Sequence, residues 1–351
     1  MPQPHLPLLL PDQINTGTWL AGYSLEALKR RMATDRIVLP ICSLGTPATE
    51  LATLAPLVLP PLYHEALDTD LKSALVAQVR RCFPFFEGTH ARAEFRGTLD
   101  VIELPPSLPT RPAQAPRILA FGVDTTIEQH GPHLPLATDT IQTYAVLRQL
   151  AREYDRLLIG PPLDYGHLTW GLPFGLSIDL TPTLTTRYMR RFADALIDWL
   201  APDAMYVADV HGSLVHRQAV QEGLRQSRCA HWSFRWLHEP LTEFASDRGD
   251  AHAGGVETTL VNHINPGLVD ARWWPDRIAD LATAQMTTAE AIALSRDLPQ
   301  FIARVESLSA NGIVGDVHNA ASLGATNLMN RMLRVARHDI DGLLARSNVT
   351  E

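Results

Sequence analysis

The segment 118–140 reads "ILAFGVDTTIEQHGPHLPLATDT" and joins an apolar run to a cluster of acidic and imidazole side chains. Its apolar part, with Arg117 before it, predicts a buried strand over 117–123. The cluster that follows surrounds a Gly-Pro turn and consists of Glu128, His130, His133 and Asp139. Burying these groups unpaired beside a strand would be costly, whereas a bound cation would satisfy several of them together. The segment therefore indicates a metal site at the end of a strand.

The spacing of these groups is compatible with shared ligation. Glu128 and His130 are two residues apart, so their side chains point to the same side of an extended backbone and can reach one ion. Asp139 follows at the start of a predicted helix, where a carboxylate is favoured and its two oxygens can bridge two cations. Such a mixed ligand set suits zinc, manganese or iron better than calcium or magnesium. A plain helix N-cap is the alternative role for Asp139, and we assign His133 to holding the Gly-Pro turn.

Strands and helices alternate after this segment. Further strands are predicted over 156–163, 204–210 and 230–237, and helices over 139–154, 181–200 and 213–226. Thr138 or Asp139 should cap the first helix, and Thr181, which precedes Pro182, should cap the second. This alternation predicts an α/β fold with right-handed βαβ units and a mainly parallel sheet. Such sheets place ligands at the carboxyl ends of their strands.

Two later segments supply more polar groups at such positions. His211 follows the predicted strand 204–210, and His252 precedes two glycines and Glu257, which opens a helix. We expect the sheet to bring these three residues close to the cluster in 128–139. Taken singly, His211 could cap a turn or bind water, and Glu257 could simply interact favourably with the helix dipole.

Motifs for other kinds of catalysis are missing from the sequence. Ser213 lies two residues after His211, but no G-x-S-x-G elbow surrounds it. Neither G-x-G-x-x-G nor G-x-x-x-x-G-K-[ST] occurs, so dinucleotide and P-loop chemistry are not indicated. Cys42, Cys82 and Cys229 are far apart and odd in number, which fits a reducing compartment and no disulfide framework.

Composition sets limits on the partners. The chain has 351 residues, of which 46% are hydrophobic and 19% charged, enough for one large core or two unequal domains. The net charge of −8 argues against a nucleic-acid or anionic-membrane partner. The first residues lack a basic region and are interrupted by prolines, and no apolar run approaches the roughly 20 residues of a membrane span. We therefore expect a cytoplasmic protein with a small molecule or short peptide as substrate.

The chain is predicted to divide at a proline-rich segment. Residues 104–116 contain five prolines and should form an extended linker between an N-terminal segment, 1–103, and a larger domain, 117–351. Residues 24–46 show the order helix, turn, apolar strand and glycine, and the later run "PLVLPPL" resembles "RLLIGPPL" of the larger domain. The N-terminal segment is thus either a degenerate partial repeat that has lost the metal loop, or a pair of unrelated strands with similar composition.

Three blocks resemble the creatininase (creatinine amidohydrolase) family. The quoted segment resembles the family signature, while "HAGGVETTLVNHINPGLVD" (252–270) and "NGIVGDVHNAASLGAT" (311–326) resemble two further family patterns in the same order. The resemblance covers 118–333 and implies a Rossmann-like three-layer α/β/α fold, often a hexamer, with two divalent metal ions. The ions expected from it are Zn²⁺ with Zn²⁺, Mn²⁺ or Fe²⁺. Residues 1–103 have no counterpart in the family.

The resemblance also assigns roles to individual residues. Asp139 would bridge both ions, Glu128 and His211 would complete one site, and His130 with a further carboxylate would complete the other. The family carboxylate two residues after the strand-end histidine is replaced by Ser213, so Glu257 is the expected substitute. His252 would move protons near the substrate.

The implied activity is metal-dependent hydrolysis of a C–N amide bond in a cyclic amide, a formamide or a short peptide, by a metal-bridged hydroxide. The loop "ADVHGSL" (208–214) departs from the "NGHGGN" of many relatives and puts the substrate in question. The alternative is a non-catalytic, metal-stabilised scaffold of the same fold whose N-terminal segment binds a partner protein. An open coordination position would favour the enzyme, and a closed shell would favour the scaffold.

Overall fold

The computed structural model describes residues 19–24, 27–28, 36–82, 87–88, 91–92, 98–107, 111–168, 174–248, 250–294 and 297–347. The helix predicted at the start of 24–46 lies largely outside these ranges, as do the first residues of the chain and 108–110 of the proline-rich segment. The strands in the described ranges are β1 Ile37–Cys42, β2 Leu57–Val58, β3 Leu62–Tyr63, β4 Glu87–Gly88, β5 Ala91–Arg92, β6 Leu99–Glu103, β7 Ile118–Gly122, β8 Leu157–Ile159, β9 Ala204–Asp209 and β10 Trp232–Trp236.

Helices connect most of these strands. The α-helices are α1 Ala48–Leu51, α2 Thr69–Cys82, α3 Thr138–Glu153, α4 Pro182–Leu200, α5 Leu214–Gln226, α6 Thr242–Arg248, α7 Gly255–Ile264, α8 Thr288–Leu294, α9 Leu298–Leu308 and α10 Ala325–Ser347. Short 3₁₀ helices lie at Leu20–Gly22, His64–Ala66, Glu239–Leu241, Pro266–Leu268, Ile278–Asp280 and Val317–Ser322. Among the helices of the described ranges, none is both long and apolar enough to cross a lipid bilayer.

The larger part of the chain is built on a parallel sheet in the order β10-β9-β7-β8. Apolar side chains alternate across β7: Leu119 and Phe121 join one hydrophobic cluster, while Ile118 and Ala120 join another. Helices α4 and α5 pack in the first cluster, and α3, α7 and α10 pack in the second. A sheet with helices on both faces is a three-layer α/β/α arrangement, which confirms the predicted fold.

The N-terminal part holds a second parallel sheet. β1 pairs with β6 along one edge over 37–41, so β2 and β3, which pair with the two ends of β1, share its other edge. This sheet belongs to the same apolar cluster as α4 of the larger part. The ring of Phe192 links the two sheets, with centroids 5.9 Å from Tyr63 and 5.7 Å from Phe121.

The two predicted helix caps have different outcomes. Thr181 caps α4 as predicted, because its Oγ1 accepts a hydrogen bond from the Leu184 amide at 3.3 Å. The cap predicted for α3 is wrong: the helix begins at Thr138 itself, and Ala137 occupies the cap position without a side-chain bond. Thr138 Oγ1 donates instead to the Pro135 carbonyl at 2.7 Å, and Asp139 lies inside the first turn.

Candidate metal centre

The polar residues flagged in the sequence lie at the carboxyl ends of the central strands. His211 comes two residues after β9, and Glu128 and His130 lie in the loop between β7 and α3. Asp139 is in the first turn of α3, and Glu257 is in the first turn of α7. Gly131, with φ of +68°, turns the backbone inside the loop in the left-handed region that suits glycine.

The structure brings these side chains together. His211 Nδ1 lies 2.8 Å from Glu128 Oε2 and 3.6 Å from Asp139 Oδ2, and His130 Nε2 lies 3.3 Å from Asp139 Oδ1. The ligand atoms of two groups lie within 4.8 Å of one another, and the groups are Glu128–His130–Asp139 and His130–His252–Glu257. Every member of both groups is largely buried.

Each of the three imidazoles has one nitrogen next to a backbone carbonyl. His130 Nδ1 is 3.0 Å from the Glu128 carbonyl, His211 Nε2 is 3.0 Å from the His167 carbonyl, and His252 Nε2 is 2.7 Å from the Gln129 carbonyl. A carbonyl only accepts, so the nitrogen facing it carries the proton. In the neutral tautomer the other nitrogen then keeps its lone pair for a ligand. Metal-binding histidines are commonly oriented in this way.

The pKa values of the cluster are shifted in the directions expected for residues that bind a cation. Burial alone would lower the pKa of His130, but Asp139, Glu257 and Glu128 raise it to about 10. Burial also opposes the charged form of His211, yet Glu128 and Asp139 raise its pKa well above the usual value. With no metal bound, the two imidazoles thus hold protons whose positive charge balances the carboxylates.

The carboxylates and the third imidazole respond differently. Burial would raise the pKa of Asp139, but His130 and His211 hold it far below the usual range. Burial raises the pKa of Glu257 to about 8 despite the nearby His130. Burial, followed by the charge of His130, lowers the pKa of His252 to about 4, so this ring is neutral near pH 7.

Two buried atoms at the centre of the cluster support a metal ion directly. Within the described part of the chain, His130 Nε2 and Asp139 Oδ1 face each other at 3.3 Å, but neither atom makes a hydrogen bond. Leaving buried polar atoms unsatisfied is costly, and the cost disappears if both atoms coordinate an ion. The donor set of carboxylate oxygens and imidazole nitrogens fits Zn²⁺, Mn²⁺ or Fe²⁺. The residues present therefore fit a divalent transition metal.

Three flagged residues lie outside the two ligand groups. One is His211, which instead lies close to Glu128 and Asp139, and the others are His133 and Ser213. His133 Nε2 is 2.8 Å from Thr258 Oγ1, and the His133 carbonyl accepts from the Asp270 amide at 2.8 Å, as expected for a residue that holds the turn. Ser213 is buried, and among the described residues its Oγ has no hydrogen-bond partner. A serine hydroxyl there supplies no negative charge.

Several supporting residues were not identified from the sequence. Asp124 Oδ1 accepts from the Val210 amide at 2.6 Å and the His211 amide at 3.4 Å, which fixes the backbone that carries His211. Thr125 Oγ1 donates to Glu128 Oε2 at 3.1 Å. The position of Asp124 immediately after a buried strand was the only sequence signal for this role.

His216 supports the same region from α5. Its Nε2 is 2.8 Å from the Val123 carbonyl, and its Nδ1 accepts from the His167 amide at 3.2 Å. A Cβ at Gly166 would stand 2.3 Å from the imidazole, so only glycine fits against it. His216 thereby holds the loop whose His167 carbonyl orients His211.

Comparison with known proteins finds a family that matches the larger part of the chain. The family model for creatininase, creatinine amidohydrolase, matches residues 114–336. A mycofactocin precursor peptide peptidase of Mycobacterium ulcerans (strain Agy99) is 30% identical over 230 residues, which are 60% of this chain and 81% of that protein.

Solved structures resemble the same part of the chain. A structure described as creatininase Mn matches with a TM-score of 0.51 at 17% identity, over 65% of this chain and 91% of that one. A mutant creatininase of Zn–Zn type matches with a TM-score of 0.51 at 16% identity, over the same shares of the two chains. At such identities the likeness concerns the fold.

Proposed function

Since the chain belongs to the creatininase family, we propose that it is a metal-dependent amidohydrolase that hydrolyses a C–N amide bond. The observation that carries the proposal is the convergence of buried carboxylates and imidazoles from three separate segments, with two atoms at its centre that make no hydrogen bond. A structural role alone would not require such an arrangement, because each unpaired polar atom weakens the fold.

The proposed ligands are Glu128, His130, Asp139, His211 and Glu257. Asp139 contacts both His130 and His211, which supports its role as the bridge between two ions. Bound divalent ions supply a Lewis acid for the substrate carbonyl and lower the pKa of water from about 15.7 towards about 7. Glu257 would replace the family carboxylate whose position is occupied by Ser213 in this chain, and its grouping with His130 supports this.

His252 is the proposed proton carrier. Its Nε2 donates to the Gln129 carbonyl, and the neutral ring would take up the proton that the attacking water loses and pass it to the leaving nitrogen of the amide. Its grouping with His130 and Glu257 offers a second role, that of a metal ligand. The metal content of His252→Ala separates the two roles: it stays at the wild-type level for a proton carrier and falls for a ligand.

A short peptide is the substrate we favour over a cyclic amide or a formamide. The 30%-identical relative is named as a peptidase of a precursor peptide. We also propose that the protein is a homo-oligomer, by family likeness a hexamer, and that it is cytoplasmic. Zn²⁺ with Zn²⁺, Mn²⁺ or Fe²⁺ remain the proposed ions.

The test compares two aspartates, each in the first turn of a helix. Asp139→Ala should lose at least one metal ion per chain in elemental analysis and nearly all hydrolysis over a panel of short peptides, lactams and formamides. Asp70→Ala, in the first turn of α2 and exposed, is the control and should change neither. Retention of both ions by Asp139→Ala would remove the bridging role. A wild-type protein that binds two ions but cleaves nothing in the panel would favour the scaffold.

A further inference from the structure

We propose that the N-terminal part of the chain braces the loop 123–137 between β7 and α3, here called the metal loop, and that the strap Trp19–Ser24 is the positioning element. This inference rests on the proposed function, because it concerns the loop that leads into Asp139. The strap lies outside residues 114–336, which the family model matches. The brace is thus an addition to the part shared with the family.

The strap binds the metal loop through its backbone. The Leu136 amide donates to the Tyr23 carbonyl at 3.0 Å, and the Ala137 amide donates to the Ala21 carbonyl at 2.9 Å. Ser24 also forms an isolated antiparallel bridge with Pro135. These bonds end two residues before Asp139, so the strap fixes the direction in which the chain enters α3.

The other end of the strap is anchored in the N-terminal sheet. Trp19 forms an isolated parallel bridge with Val58 of β2 and is 1% exposed. Leu20 and Ala21 are fully buried in the same apolar cluster. A strap buried in this way transmits the rigidity of its sheet to the loop.

A side-chain contact adds a second link. Ser24 Oγ donates to Asp270 Oδ2 at 3.0 Å, and the Asp270 amide donates to the His133 carbonyl in the metal loop at 2.8 Å. Asp270 follows α7, which carries Glu257. Ser24 therefore ties the strap to both ligand-bearing segments at once.

The N-terminal part also supports the loop behind His211. Tyr165 Oη donates to the Pro60 carbonyl at 2.6 Å, and Gln78 Nε2 donates to the Asp179 carbonyl at 2.6 Å. Asp179 Oδ1 in turn accepts from the Leu168 amide at 2.9 Å. The His167 carbonyl that orients His211 thus lies between two residues held from the N-terminal side.

The experiment uses full-length protein and two readouts: Mn²⁺ affinity, and hydrogen exchange at the Leu136 and Ala137 amides. Trp19→Ala and Ser24→Ala should each weaken Mn²⁺ binding about tenfold or more, the usual effect of losing support behind a ligand. Both should also speed exchange at the two amides. Trp19→Phe, which keeps an aromatic anchor, should restore both properties.

Two controls separate the brace from general destabilisation. Ser73→Ala removes an exposed serine of α2 whose side chain, among the described residues, bonds within its own helix, and it should leave both readouts unchanged. Leu343→Ala opens a cavity in the cluster on the far face of the sheet, so it should lower stability without changing exchange at Leu136 and Ala137.

The outcomes distinguish the two proposals. Unchanged exchange and unchanged Mn²⁺ affinity in both Trp19→Ala and Ser24→Ala would overturn the brace while leaving the metal site in place. A wild-type protein without Mn²⁺ or Zn²⁺ affinity would overturn the proposed function. The exchange rates of Leu136 and Ala137 in the two variants would then still decide on the brace.

Discussion

The two parallel sheets of this protein share a connectivity but not a chemistry. In each, the first strand along the chain lies inside the sheet: β1 pairs with β2 and β3 on one edge and with β6 on the other, and β7 pairs with β8 on one edge and with β9 on the other. An α-helix lies between the strands of the two edges in both sheets, α2 between β3 and β6 and α4 between β8 and β9. We propose that the N-terminal part is a degenerate copy of the larger one.

The second strands agree in register as well. The Leu59 amide donates to the Val38 carbonyl, and Pro60 and Pro61 follow. The Gly160 amide donates to the Ala120 carbonyl, and Pro161 and Pro162 follow. A double proline thus interrupts both strands one residue after the equivalent bond.

This register allows the metal loop after β7 to be compared with the loop after β1. With Val38 equivalent to Ala120, Thr46 stands in the place of Glu128. The polar groups at the N-terminal edge pair with one another: Glu65 Oε2 accepts from the Leu44 amide at 2.9 Å, and Lys72 Nζ lies 3.1 Å from Glu103. Both sheets have an edge at the carboxyl ends of their strands. Such an edge becomes a binding site only where its side chains have unsatisfied polar atoms.

The largest expected effect comes from equivalent substitutions in the two loops. Glu128→Ala should reduce hydrolysis by at least about a thousandfold, because a ligand of the catalytic ions is lost. Thr46→Ala should leave turnover unchanged and cost about 1 kcal/mol of stability, because the hydrogen bond from Thr46 Oγ1 to the Ser43 carbonyl is lost. Steady-state assays and metal analysis check both. Equal losses of activity would mean that the two edges do not differ as described.

A smaller loss of stability is expected from a substitution at Phe192, whose ring contacts both sheets. Phe192→Ala should cost about 3–5 kcal/mol and preserve a single unfolding transition, because its ring packs against Tyr63 of one sheet and Phe121 of the other. Urea denaturation followed by tryptophan fluorescence and by circular dichroism measures this. Phe234→Ala, on the partly buried edge strand β10, is the control with the smaller expected cost. Two separate transitions in the wild type would show that the sheets are independent.

The smallest expected effect is the dependence of metal affinity on pH, which arises from residues of the larger sheet. His130, with a pKa of about 10, and Glu257, with a pKa of about 8, hold protons at neutral pH when no ion is bound. A metal must displace these protons, so its affinity should rise as pH rises, by at least about tenfold per unit between pH 6 and 8. His252, with a pKa of about 4, is already neutral there and adds no slope. Competition with a chelator of known affinity at several pH values measures this, and a flat profile would contradict it.

The features that were predicted correctly from the sequence are those that depend on the chemistry of particular side chains. Apolar runs identified β7, β8, β9 and β10, and Thr181 with Pro182 marked the start of α4. The ligand candidates were found because carboxylates and imidazoles are unusual beside buried strands. The cap of α3 was missed because the Thr138 hydroxyl bonds backwards to Pro135 and not forwards into the helix.

What the sequence did not predict depends on backbone groups. The carbonyls of Ala21 and Tyr23 accept from the metal loop and that of His167 accepts from His211, and every residue type has such a carbonyl. Tertiary packing alone selects which of them is used. The supporting roles of Asp124 and His216 were hidden for a related reason, since their partners are backbone atoms distant in the chain.

The shared membership of His130 in both ligand groups has a consequence for how the centre fills. Its Nδ1 is occupied by the Glu128 carbonyl, so only the Nε2 lone pair remains, and one lone pair serves one ion. His130 can therefore serve only one of the two proposed ions, and the other ion would take its nitrogen from His211. We expect the two ions to be held by different residues that are joined only through Asp139, so that they load and exchange at different rates.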